Sequence, residues 1–74
     1  MSRSDTARTV VMSSLLASVE YSSDATLDLA FRSGARYRYF AVPPQVLHGL
    51  LAAASKGAYF NRHIRNHFRY QRLA

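Results

Sequence analysis

Between Gly34 and the double proline at 43 and 44 the chain reads ARYRYFAV, with two tyrosines and two arginines in strict alternation. Successive side chains of a strand point to opposite faces, so Tyr37 and Tyr39 share one face while Arg36, Arg38 and Phe40 share the other. Glycine before this run and proline after it bound a strand, because glycine enters tight turns freely and proline lacks a ladder donor.

Two further alternating runs lie upstream. Val19 and Tyr21 are separated by polar residues, and Leu27, Leu29 and Phe31 alternate with Asp28, Ala30 and Arg32. Turn-forming Ser22, Ser23 and Asp24 join them. The hairpin into the third strand fixes the register. A two-residue loop at Ser33 and Gly34 would turn the arginines to the apolar face, whereas a three-residue loop over 32–34, with Gly34 left-handed, keeps both faces consistent. It pairs Leu29 with Tyr37, Leu27 with Tyr39 and Asp28 with Arg38, an ion pair across the solvent face.

Pro43 and Pro44 suit the first turn of a helix. Val46, Leu47, Leu50, Leu51 and Ala54 then form an apolar stripe at helical spacing. Lys56 and Gly57 are expected to stop this helix, lysine at its negative end and glycine as a left-handed cap. Phe60, Ile64 and Phe68, spaced by four, predict a short second helix capped by Asn61. Residues 1–11 read as a flexible arm, 12–70 as one domain and 71–74 as a frayed end. The expected fold is α+β, a three-stranded antiparallel meander packed by one main helix and a shorter C-terminal helix.

A chain of 74 residues holds one small core, which disfavours a deep catalytic cleft. It contains no cysteine, so neither a disulfide framework nor a cysteine zinc site can reinforce it. The apolar run TVVMSSLLASV is too short to span a bilayer and is broken by serines. A cytoplasmic protein without a membrane role is expected. His63 and His67 stand four apart, but no carboxylate follows Asp28, and neither a metal nor another cofactor is predicted. Paired acids, a Ser/His/Asp set and a glycine-rich phosphate loop are absent, so the chain reads as a non-enzyme.

Charge is segregated along the chain. Residues 1–31 hold Arg3 and Arg8 against Asp5, Glu20, Asp24 and Asp28, a net of −2. From Arg32 onward there are seven arginines and Lys56 with no acid, a net of +8. Such asymmetry favours a polyanionic or acidic partner. On a continuing helix Arg62, Arg65, Arg69 and Arg72 would form one basic stripe. Arg36, Arg38 and Phe40 offer a second candidate surface. The arm, with Arg3, Arg8, Val10 and Val11, offers a third, able to dock on its own domain or on a partner. Tyr37 and Tyr39 belong on the apolar face, with hydroxyls at the rim; Tyr59 and Tyr70 are the other candidate stacking or rim tyrosines.

VEY at 19–21, LDLAF at 27–31, YRYFAVP at 37–43 and ASKGAYFNRHIR at 54–65 resemble the KTSC domain, named from its occurrence at the C-terminus of some lysyl-tRNA synthetases. The resemblance covers roughly residues 12–70 and implies a small bacterial or phage domain for which RNA binding has been suggested. Pro44, His48 and the arginine-rich tail depart from or elaborate the pattern. Stand-alone length, basic tail and arm are similar to those of a phage-encoded regulator acting on host RNA polymerase. The expected function is therefore a monomeric, non-enzymatic regulator docking on RNA polymerase, affecting initiation or antitermination. The alternative is an RNA-binding module using the basic stripe, with Tyr59 or Tyr70 as stacking partners.

Overall fold

The computed structural model describes residues 7–74. Its centre follows from the hairpin chemistry. Gly34 takes φ +99° and donates its N–H to the Phe31 carbonyl (2.9 Å), while the Phe31 N–H reaches the Ala35 carbonyl (2.8 Å). The three-residue turn sets β3 (Leu27–Phe31) against β4 (Arg36–Tyr39), with Leu29 opposite Tyr37, Leu27 opposite Tyr39 and Asp28 opposite Arg38. The expected register holds.

β2 (Leu16–Tyr21) begins three residues before the alternation at Val19. A bulge explains why: Leu16 pairs with Phe31 but Ser18 pairs with Ala30, so Ala17 is extra. The inserted residue returns both Leu16 and Val19 to the core side, where period-two reading would separate them.

Among the described residues the sheet has five antiparallel strands in sequence order, not three. β1 (Ala7–Val10) pairs with β2, and β5 (Tyr70–Arg72) pairs with β4. The arm expected over 1–11 therefore includes a strand, and Val11 just beyond it is buried in the core. Arg3 lies outside the described residues. The expected fraying of 71–74 is likewise replaced by pairing, since the Leu73 N–H reaches the Arg36 carbonyl (2.7 Å). ARTV and YQR are too short to display a period, and backbone hydrogen bonds of edge strands leave no trace in side-chain pattern.

Pro43, extended at ψ 150°, precedes α1 (Pro44–Ala52), which has proline in its first turn. Leu50 is fully buried, with Val46, Leu47 and Leu51 packed around it against the core of Leu16, Val19, Leu27, Leu29, Tyr39 and Val42. The helix ends at Ala53, which turns extended at ψ 137°; Gly57 does not cap it. Gly57 instead lies in α2 (Lys56–Tyr59), capped by Ser55, whose Oγ accepts the Ala58 N–H (3.2 Å). The serine competes successfully because its hydroxyl satisfies an orphan helix donor. Lys56 does reach the end of α1, where its Nζ donates to the Ala53 carbonyl (3.0 Å).

α2 widens into a π-helical turn over Phe60–Ile64, with the Arg65 N–H bonded five residues back to Phe60 (2.8 Å). Phe60 and Ile64 are both buried. Arg65 is then extended and Asn66 left-handed at φ +66°, so the chain leaves the helix before β5. The second helix thus starts before Asn61, and the basic helical stripe expected from Arg62 to Arg72 does not exist.

Candidate functional site

The helical layer stops at the π-helical turn, while the sheet continues into β5. This mismatch opens a groove of about 460 Å³ along the β4–β5 margin. Tyr37 and Tyr39 face it because alternation sends them to the helix side. Tyr70 joins them because the β4–β5 register sets it opposite Tyr39, and its ring lies 5.6 Å from that of Tyr37 and 5.7 Å from that of Tyr39. Phe60 closes the inner end, edge-on to Phe31 at 5.3 Å and to Tyr39 at 6.0 Å. Aromatic rings at these separations and tilts attract through their quadrupoles.

Polar groups line the groove's rim. Asn61, Arg65 and Asn66, all exposed, come from the π-helical turn and the chain just beyond it. Arg65 Nη1 approaches Asn61 Oδ1 at 3.5 Å. From β5, the Arg72 guanidinium lies 5.6 Å from the Tyr37 ring centre, a cation–π separation, and its Nε donates to an Ala74 oxygen (2.9 Å). Burial pushes the Tyr39 phenol up to about 12; the neighbouring Tyr37 and Tyr70 phenols add to the rise, and Arg65 opposes it. Tyr39 therefore stays neutral at physiological pH. The groove combines stacking surfaces, amides and the Arg65 cation, with Arg72 beside it over the Tyr37 ring and no acidic lining residue among the described residues.

Residues 12–68 match the family model of the KTSC domain. The chain belongs to the KTSC domain family. A KTSC domain protein from Yersinia pestis, solved as a crystal structure, superposes with a TM-score of 0.88 at 28% identity, covering 93% of this chain and 99% of that one. A protein of Stutzerimonas stutzeri is 44% identical over 68 residues, covering 89% of this chain and 96% of its own. A lysine–tRNA ligase of Nostoc punctiforme is 45% identical over 49 residues, 66% of this chain but only 9% of the ligase.

This KTSC domain distributes the other residues singled out in the sequence. Arg36 and Arg38 lie on the opposite face of the sheet. Arg38 is engaged there by Asp28 through two hydrogen bonds of 2.9 Å, which raise its pKa, and this is the one ion pair among the described residues. A shallow hollow of about 280 Å³ beside them is lined by Ser18, Glu20, Asp28, Ala30 and Arg36, of mixed charge. Phe40 is half-buried, with the Arg69 guanidinium 5.6 Å from its ring centre. Tyr59 sits apart from the groove, against Gly49 of α1 and 4.5 Å from the His63 ring. Arg62 is exposed, and Arg8 pairs with Glu20 in the β1–β2 register.

The structure brings together Tyr37, Tyr39, Tyr70, Arg65 and Arg72, which sequence reasoning had divided between a core strand and a helical stripe. It adds Asn61 and Asn66, which that reasoning missed as site residues. The signal for Asn66 was present: asparagine tolerates the left-handed conformation, so an asparagine after an apolar helical run marks a turn where cations beyond it change direction. Among the described residues no group of three His, Cys, Asp or Glu side chains could hold a metal, and no helix is long and apolar enough to cross a membrane.

Proposed function

We propose that this chain is a non-enzymatic regulatory binding protein that docks on bacterial RNA polymerase and modulates transcription, at initiation or by antitermination. One observation carries the reading: uncompensated cations coexist with exposed apolar side chains. Arg62, Arg65, Arg69 and Arg72 are exposed without an Asp or Glu partner among the described residues, while Val10 in β1 and Met12 just beyond it are 77% and 92% exposed. Protein interfaces use an apolar centre with a polar rim, and charge complementarity steers the encounter. A polymerase surface that pairs acidic residues with an apolar patch would meet both requirements. Retention of polymerase subunits from a nuclease-treated bacterial lysate tests the reading.

A second reading, an RNA-binding module, is favoured by the tyrosine groove flanked by Arg65 and Arg72, since single strands are held by stacking on aromatic rings beside cations. The matching segment in a lysine–tRNA ligase supports it. The two readings separate by salt: phosphate contacts weaken steeply as salt rises, whereas an apolar-centred protein interface weakens less.

A further inference from the structure

We propose that the groove between β5 and the π-helical turn holds one unstacked nucleotide of a single-stranded RNA, its base against Tyr70 and Tyr37 and its phosphates on Arg65 and Arg72. The inference rests on the RNA reading and gives it a site; docking on polymerase neither requires nor forbids it.

Three observations converge. First, the rings are not wholly consumed by the core. Tyr70 is 57% exposed on an edge strand, although a tyrosine there contributes little to burial. Tyr37 is half-buried and presents the rest of its ring to the same space. Second, the volume of about 460 Å³ falls within the roughly 300–1,000 Å³ range of small-ligand sites, enough for a base but not for a duplex. Third, the rim chemistry is that of a nucleotide. Asn61 and Asn66 carry amides, each able to donate and accept, which suit the edge of a base. Arg65 and Arg72 stand beside the rings with no Asp or Glu partner among the described residues, Arg72 giving only its Nε to an Ala74 oxygen, and guanidinium forks match phosphate oxygens.

Charge complementarity selects this occupant over an aromatic side chain of a protein. A phenylalanine or tyrosine would fill the rings' space yet leave both amides without an edge to read. A nucleotide uses the rings, the amides and the cations together. Duplex RNA, whose bases remain stacked, has no base to offer.

The test is titration of the whole protein at low salt with a labelled oligouridylate and with an RNA hairpin stem, following label anisotropy and intrinsic tyrosine fluorescence, the chain having no tryptophan. Tyr70→Leu keeps an apolar side chain at an exposed position, and its circular dichroism and melting temperature establish that it folds. Tyr70→Phe keeps the stacking ring.

The expected result is binding of the oligouridylate in preference to the stem, with quenching of tyrosine fluorescence. Affinity should fall by roughly 5- to 150-fold in Tyr70→Leu and persist in Tyr70→Phe. Unchanged affinity in a folded Tyr70→Leu, with loss in Arg62→Gln or Arg69→Gln, would overturn the groove while leaving the RNA reading standing. Absence of oligouridylate binding at low salt would overturn both. Quenching by an acidic tyrosine-containing peptide, without quenching by the oligouridylate, would assign the groove to a protein side chain and overturn the proposal.

Discussion

Tyr70 lies directly across the β4–β5 ladder from Tyr39, with ring centres 5.7 Å apart, so a tyrosine that is 57% exposed stands over one that is 4% exposed. The inner ring belongs to the core and the outer ring to the surface, and the two answer to different experiments.

Tyr39 gives stability an alkaline dependence. Its phenol is raised from 10.0 to about 12 in the folded chain, chiefly by burial, so the neutral form is favoured by folding. That contribution is complete below pH 10 and is lost as the pH climbs through 12. Tyr39→Phe should therefore lose less stability than the parent between pH 9 and 11, by about 1 kcal/mol. Urea denaturation of both proteins at the two pH values measures the difference.

Leu29 is 1% exposed in β3, opposite Val19 on one side and Tyr37 on the other. Leu29→Ala removes core volume and should cost about 2–5 kcal/mol, a large share of a small domain's stability. A thermal melt or urea titration is the check, and a variant as stable as the parent would contradict the register.

At Gly49 an added methyl group would run into the Tyr59 ring, so the close approach of α1 and α2 depends on the missing side chain. Gly49→Ala should destabilise by about 1–3 kcal/mol through overpacking. Adding Tyr59→Leu should restore part of the loss. A double-mutant cycle in denaturant measures the coupling.

The central hairpin was legible in the sequence because three independent constraints agreed there. Alternation fixed the faces of β3 and β4, Gly34 fixed the turn, and Asp28 opposite Arg38 required no change of register. The start of α1 was legible from the two prolines, whose stiffness serves only one side of the boundary. The edge strands were hidden, since Ala7–Val10 and Tyr70–Arg72 are held by backbone pairing and are too short to show a period. The site suffered most from the π-helical turn. Arg62 and Arg65 fit a helical spacing with Arg69 and Arg72 until Asn66 reverses the chain, and only the backbone reveals that Arg65 and Arg72 end beside the tyrosines while Arg69 ends beside Phe40. Tyr59 and Tyr70, read together as stacking or rim tyrosines, lie on separate surfaces.

Arg62, Arg65 and Arg69 are exposed and make no ion pair among the described residues. Replacing all three with alanine should leave the melting temperature within a few degrees of the parent while weakening partner binding and flattening its salt dependence. Calorimetry and binding titrations at two salt concentrations provide the comparison. Unchanged affinity would make these arginines a solvated surface and nothing more.

The most direct measurement is recovery of partners from bacterial lysate on the tagged protein, with and without nuclease, followed by mass spectrometry of what is retained. The account predicts RNA polymerase subunits that survive nuclease treatment and diminish in the triple-arginine variant. Loss of every retained protein after nuclease would contradict docking on the polymerase and leave RNA as the partner.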